Sequence, residues 1–272
     1  MNMSSSRTLL ALALGAMALT ACQSGTRSRE AAYIERPVEQ IYNLATEELD
    51  KRDYTEAISL FNEVERQHPY SEWARRSTLM SAFAAYRSRR YDEAVDTARR
   101  YIGLHPGTDG AAYAYYLVAI SHFEQIVDVG RDQGTTELAK AALEDVERRF
   151  PESEYAKDVR LKIDMVNDQL AGKEMEVGRW YLRRDQHLAA INRFRTVVTD
   201  YQTTSHTPEA LHRLVESYLS VGLRAEAQAS GAVLGYNYPN TDWYRDTYRL
   251  LTQEGLNPNA EPPREGWLSR IF

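Results

Sequence analysis

Cys22 is the only cysteine in 272 residues, and it closes the stretch Leu19-Thr20-Ala21-Cys22 at the end of an apolar run. With no second cysteine to pair with, a thiol in that place reads as a site for a lipid. The other reactive side chains form no catalytic pattern. The chain has no G-x-S-x-G elbow, no G-x-x-x-x-G-K-S/T phosphate loop and no H-E-x-x-H. Its six histidines, His68, His105, His122, His187, His206 and His212, are scattered. His68 and His105 precede prolines and read as structural, while His122 on a helix reads as a satisfied side chain rather than a ligand. Carboxylates are plentiful, but on helices they read as solvated faces. The sequence therefore predicts no enzyme and no metal.

One basic residue, Arg7, precedes an uncharged run from Thr8 to Leu19. That run is too short to span a bilayer and reads as a cleaved export signal, residues 1–21. Leu-Thr-Ala-Cys resembles the bacterial lipobox, in which the thiol is diacylated, the preceding bond is cut and the new amine is acylated. The expected lipid is an N-acyl and S-diacylglycerol group on Cys22, the alternative being an ordinary signal peptide with a chance cysteine. More than one acyl chain anchors a protein stably, where one alone binds marginally. Gln23 stands where an aspartate would, in many bacteria, retain a lipoprotein at the inner membrane, which favours the outer membrane. Residues 22–36 would form the lipidated tether.

Loss of Arg7 takes the formal charge from −6 to −7, so the mature chain has no overall electrostatic reason to bind nucleic acid. Only 9 prolines and 14 glycines, with abundant Ala, Leu, Glu and Arg, favour helices. Self-similarity is the decisive signal. Tyr54-Thr55-Glu56-Ala57-Ile58 aligns with Tyr91-Asp92-Glu93-Ala94-Val95, and a proline follows each alanine by twelve residues, at Pro69 and Pro106. The interval recurs from Ala139 to Pro151 and from Ala227 to Pro239, while Ala190 meets Gln202 instead. Each unit reads as two helices, the second carrying a small alanine that allows close approach and stopping at the proline. Phe61, Leu143 and Phe194, four residues after their alanines, are the bulky partners. Ser71, Thr108, Ser153 and Thr241 are expected as N-caps of the next helices.

This pattern is similar to tetratricopeptide repeats and predicts an all-α protein: a right-handed α-solenoid of about five helix pairs plus a capping helix. Repeats 1–3 occupy 37–151; an extra helix from about Tyr155 to Leu170, repeats 4–5 and a cap ending before Gly255 occupy 152–254. That extra helix is expected to be continuous with the next or kinked near Gly172. Gly130 and Gly134 mark a loop of about eight extra residues around Asp128 to Thr135. The proline-rich tail, 255–272, ends in Trp267-Leu268-Ser269-Arg270-Ile271-Phe272, which could dock on a partner or membrane interface or fold back on the last repeat. In tetratricopeptide proteins the first helices line a groove, which here would carry Tyr42, Thr46, Leu49, Arg76, Leu79, Phe83, Tyr86, Arg87, Tyr113, Tyr116, Ile120 and Phe123. Such a surface could stack the aromatic side chains of an extended peptide and hold its carboxylate, unless many of these residues pack between repeats instead.

Four stretches carry a more specific resemblance: Asp128-Val129-Gly130-Arg131-Asp132-Gln133, Leu170 through Arg179, Ala189 through Phe194, and Val233 through Pro239. With the lipobox and repeats, they make residues 19–254 resemble the BamD family, lipoproteins of the outer-membrane β-barrel assembly machinery. The resemblance implies a non-enzymatic scaffold, lipid-anchored on the periplasmic face of the outer membrane of a Gram-negative bacterium. Its implied partners are unfolded outer-membrane β-barrel proteins, the POTRA domains of BamA and other Bam lipoproteins. It also implies that Arg193, following Asn192, makes a salt bridge to BamA. The rival expectation is a tetratricopeptide lipoprotein that assists pilus or secretin assembly or coordinates peptidoglycan enzymes.

Overall fold

The computed structural model describes residues 36–261, so Cys22 and the segment Trp267 to Phe272 lie outside the described residues. Within them the chain is helical throughout: α1 (Val38–Asp50), α2 (Tyr54–Gln67), α3 (Glu72–Arg87), α4 (Tyr91–Leu104), α5 (Gly110–Phe123), α6 (Gly134–Arg149), α7 (Ala156–Leu182), α8 (His187–Asp200), α9 (Thr207–Ser220), α10 (Arg224–Asn237) and α11 (Asp242–Gln253). Each helix packs on the next, giving five pairs closed by α11. The first helices also pack on one another from unit to unit, α1 on α3, α3 on α5 and α9 on α11, so they line the inner side of the stack.

The repeat alanines Ala57, Ala94, Ala139, Ala190 and Ala227 are all completely buried, as are Phe61, Leu143 and Phe194 four residues on. Small and large residues alternate along one helix face because the backbone of the partner helix must come close at the alanine and be filled against at the ring. At Gly178 on α7 the approach is so close that a Cβ would collide with the ring of Phe194. Tight turns join the helices within units 1, 2, 4 and 5. Each places one residue in the left-handed region, Arg52, Arg89, Asp185 and Gly222, always five positions before the alanine.

The second helices all end alike. His68, His105, Phe150, Tyr201 and Tyr238 have φ between −135° and −131° and ψ between 40° and 56°. Tyr201 precedes Gln202, so the proline does not create this geometry. A hydroxyl three residues later is common to all five ends: Ser71, Thr108, Ser153, Thr204 and Thr241 donate to the end residue's carbonyl at 2.8–3.0 Å. Only Ser71 and Thr241 also cap the next helix, accepting from Ala74 and Tyr244 N–H. Thr108 and Ser153 are not N-caps: α5 and α7 begin later, after Asp109 and Tyr155, and neither has a side-chain cap. The hydroxyl joins the backbone N–H of its own residue on a carbonyl that has no partner within the ending helix.

α7 runs unbroken for 27 residues through Gly172, where the sequence left a kink open. Its first half, with Val159, Val166 and Leu170, packs into the core of unit 3. Its second half, with Ala171 and Met175, packs into the core of units 4–5. The expected loop ends earlier than anticipated, because α6 already starts at Gly134; the connection runs over residues 124–133. Gly255, with φ of 68°, ends α11 as expected.

Candidate functional site

The predicted groove residues fall on α1, α3 and α5, and most of them meet. Tyr42 lies 4.9 Å, centroid to centroid, from Trp73, over which the Arg76 guanidinium sits at 5.7 Å while pairing with Glu72 at 2.9 Å. Arg87 stands 5.6 Å above Phe83, whose ring is 6.4 Å from Tyr113. Tyr113 and Tyr116 both pack on Tyr155, the latter stacked at 4.7 Å and 21°. Tyr116 donates to Asp158 at 2.8 Å, Asp158 accepts from Lys162 at 2.8 Å, and the Lys162 ammonium lies 5.2 Å from Phe123. Tyr86 leans on Tyr91 within its own unit, and the Thr46 hydroxyl bonds back to the Tyr42 carbonyl. Leu49 and Leu79 are packed against the cores beneath. Ile120 is buried, so it belongs to the core and not to the groove surface.

The first helices thus present a row of rings, with a cation stacked on Trp73, Phe83 and Phe123 in turn. Cations over aromatic faces hold both groups in place and leave the guanidinium edge free to donate. Trp73, Tyr155, Asp158 and Lys162 are missing from the sequence expectation. A signal for two of them was present: the residue two after the unit hydroxyl is Trp73, Gly110, Tyr155, His206 and Trp243. Trp73, Tyr155 and Trp243 each reach back to a ring on the previous first helix.

Burial raises the Tyr113 and Tyr116 hydroxyls well above the ordinary phenol range, and burial with a hydrogen bond to Glu154 lifts Tyr155 to about 12. The Asp158 carboxyl is lowered: burial opposes this, but hydrogen bonds from Lys162 and Tyr116 outweigh it. At neutral pH the groove therefore offers neutral ring faces, a carboxylate already bound twice, and positive charge at Arg76, Arg87 and Lys162. It can hold aromatic side chains and a carboxylate. It has no nucleophile activated by a base.

Arg193 and Asn192 lie elsewhere, exposed on α8 in the fourth unit. Arg193 reaches Glu174 on α7 at 3.2 Å. On the inner side of this half, Arg179 holds Glu209 through two hydrogen bonds of 2.9 and 2.6 Å, Arg213 joins Glu209 to Glu216, and His212 contacts Glu216 at 3.5 Å and Thr247 at 2.8 Å. The inner side carries rings in units 1–3 and an ion network in units 4–5. His122 differs from expectation: it is buried with its Nε2 unpartnered, and burial together with Arg99 lowers its pKa.

Residues 34–234 match the family YfiO, described as outer membrane lipoprotein. The chain is 56% identical over 257 residues to the outer membrane protein assembly factor BamD of Caulobacter vibrioides, covering 94% of this chain and 84% of that one. It is 46% identical over 243 residues to BamD of Rickettsia prowazekii, covering 89% and 96%. The chain belongs to the BamD family. BamD of Neisseria meningitidis serogroup A is 32% identical over 245 residues, covering 86% of this chain and 91% of that one. Membership makes the chain an outer membrane protein assembly factor, and its scaffold is the stack of helix pairs described above.

Proposed function

We propose that this BamD-family chain is a non-enzymatic scaffold on the periplasmic face of the outer membrane, held there by the lipid on Cys22. Units 1–3 bind unfolded β-barrel proteins through an extended, aromatic-ended segment, and units 4–5 bind the POTRA domains of BamA, with Arg193 as a charged contact. The observation that carries the reading is the row of rings on α3, α5 and the start of α7, each cation seated on an aromatic face. An aromatic side chain can stack into this row while its carboxylate meets the Arg76 or Arg87 fork. The Arg193 contact is supported by its exposure and by the family resemblance.

The test uses the acylated full-length chain. Phe83→Ala with Tyr113→Ala should weaken binding of a fluorescent aromatic-ended peptide, measured by anisotropy, and leave co-purification of BamA unchanged. Arg193→Glu should do the reverse. If both variants lose both ligands equally, or neither loses any, the division of labour is wrong.

A further inference from the structure

Two of the four characteristic stretches of the sequence, Asp128 to Gln133 and Leu170 to Arg179, are far apart along the chain yet both contribute to one cavity. It has a volume of about 450 Å³ and lies between the α5–α6 loop, α6, α7 and Tyr201. The loop is fixed from inside. Gln133, only 8% exposed, donates to the carbonyls of Asp128, Val129 and Arg131 and accepts from Thr136 at 2.9 Å. Lys173 donates to the Gly130 carbonyl, and Gln169 to that of Val127 at 2.8 Å. A wall held this way costs little ordering when something binds to it.

The charges on this wall are of both signs. Asp132, Glu137 and Glu174 face the cavity together with Arg131 and Lys173. Glu174 is neutralised from outside by Arg193, at 3.2 Å. Lys173 is itself paired with Glu176 on its own helix, at 3.8 Å. Among the described residues, Glu137 has no ion pair and no side-chain hydrogen bond. If a partner carboxylate takes Arg193, as the proposed function holds, Glu174 is left only one-fifth exposed without that counter-ion. An uncompensated carboxylate of that kind is costly unless a new cation arrives.

We propose that the cavity receives a basic side chain of the same protein partner, which pairs with Glu174 and Glu137 as a carboxylate of that partner takes Arg193. The proposal rests on the reading of Arg193 as a partner contact. It assigns the cavity to a protein surface carrying an acid and a base close together, and makes binding an exchange of ion pairs. Glu174 is then a contact in its own right rather than a competitor for Arg193.

The two roles give opposite signs. The acylated full-length chain in nanodiscs is titrated with soluble BamA POTRA domains, comparing Glu174→Gln, Glu137→Gln and Arg193→Gln. Each glutamine at 174 or 137 should weaken binding about fivefold, the size of one partly exposed ion pair. Equal or tighter binding by Glu174→Gln would show simple competition and overturn the proposal. Glu137→Gln breaks no contact within the chain and keeps the test open if Glu174→Gln lowers the melting temperature. Arg193→Gln without effect would sink the partner reading and this proposal with it. A weakened Arg193→Gln beside unchanged glutamate variants would sink this proposal alone.

Discussion

Among single residues, Gly178 and Phe194 show how closely the fourth unit is fitted. Both are buried, and a Cβ on the glycine would run into three atoms of the ring. Alanine at 178 gains roughly 1 kcal/mol of helix propensity. The overpacking it causes costs about 1–3 kcal/mol, so Gly178→Ala should be destabilising. Adding Phe194→Leu should recover part of the loss, which chemical denaturation of the single and double variants would measure. If the two substitutions add without interaction, the close approach is not what glycine serves. The sequence exposed this pair only as two positions of a repeat pattern, since spacing identifies small and large residues without saying which of them touch.

At the level of elements, the joint between units turns on a carbonyl and a hydroxyl more than on proline. Tyr201 takes the same conformation before Gln202 that His68, His105, Phe150 and Tyr238 take before proline. Gln202→Pro should therefore fit without strain and stabilise by about 0.4–1 kcal/mol through the unfolded chain. Thr204→Ala should lose about 1 kcal/mol or more, because its buried hydroxyl bonds the Tyr201 carbonyl at 2.8 Å. Melting curves of the two variants should shift in opposite directions; a destabilised Gln202→Pro would mean that the unit departs from the repeat for a local reason. Proline and alanine spacing made the helix pairs and their ends legible. It did not reveal Thr204, whose place in the series is visible only once the five joints are superposed. Nor did it reveal Tyr155 and Lys162 as groove residues, because α7 begins by serving the third unit and ends by serving the fourth. The early start of α6 was equally hidden, since Gln133 closes the loop before it by bonding three carbonyls that no sequence pattern marks.

For the molecule as a whole, α7 decides whether the solenoid is one cooperative body or two. Acid should act first on the half beyond it. The Glu216 carboxyl, ordinarily near 4.5, is lowered to about 2: burial opposes ionisation, but His212 and Arg213 outweigh it. A depressed carboxylate stabilises the fold above its unfolded value and loses that contribution as pH falls, so stability should decline from about pH 4.5 towards 2, and Glu216→Gln should flatten the decline. Heat tests the connection itself. Val166 and Leu170 belong to one core, Ala171 and Met175 to the next, and Tyr201 touches both. An unbroken helix with cores on both halves carries unfolding from one to the other, where a plain repeat array would couple only neighbours. The wild type should therefore melt in a single calorimetric transition. Gly172→Pro removes a helical hydrogen bond at the seam, costs about 3 kcal/mol or more, and should split the transition in two. Gly172→Ala supplies the control: its Cβ would meet His206 at 3.2 Å just as the proline would, yet it leaves the helical bonds intact, so its melting should remain single. Two transitions in the wild type, or one in the proline variant, would show that the halves are coupled by something other than α7.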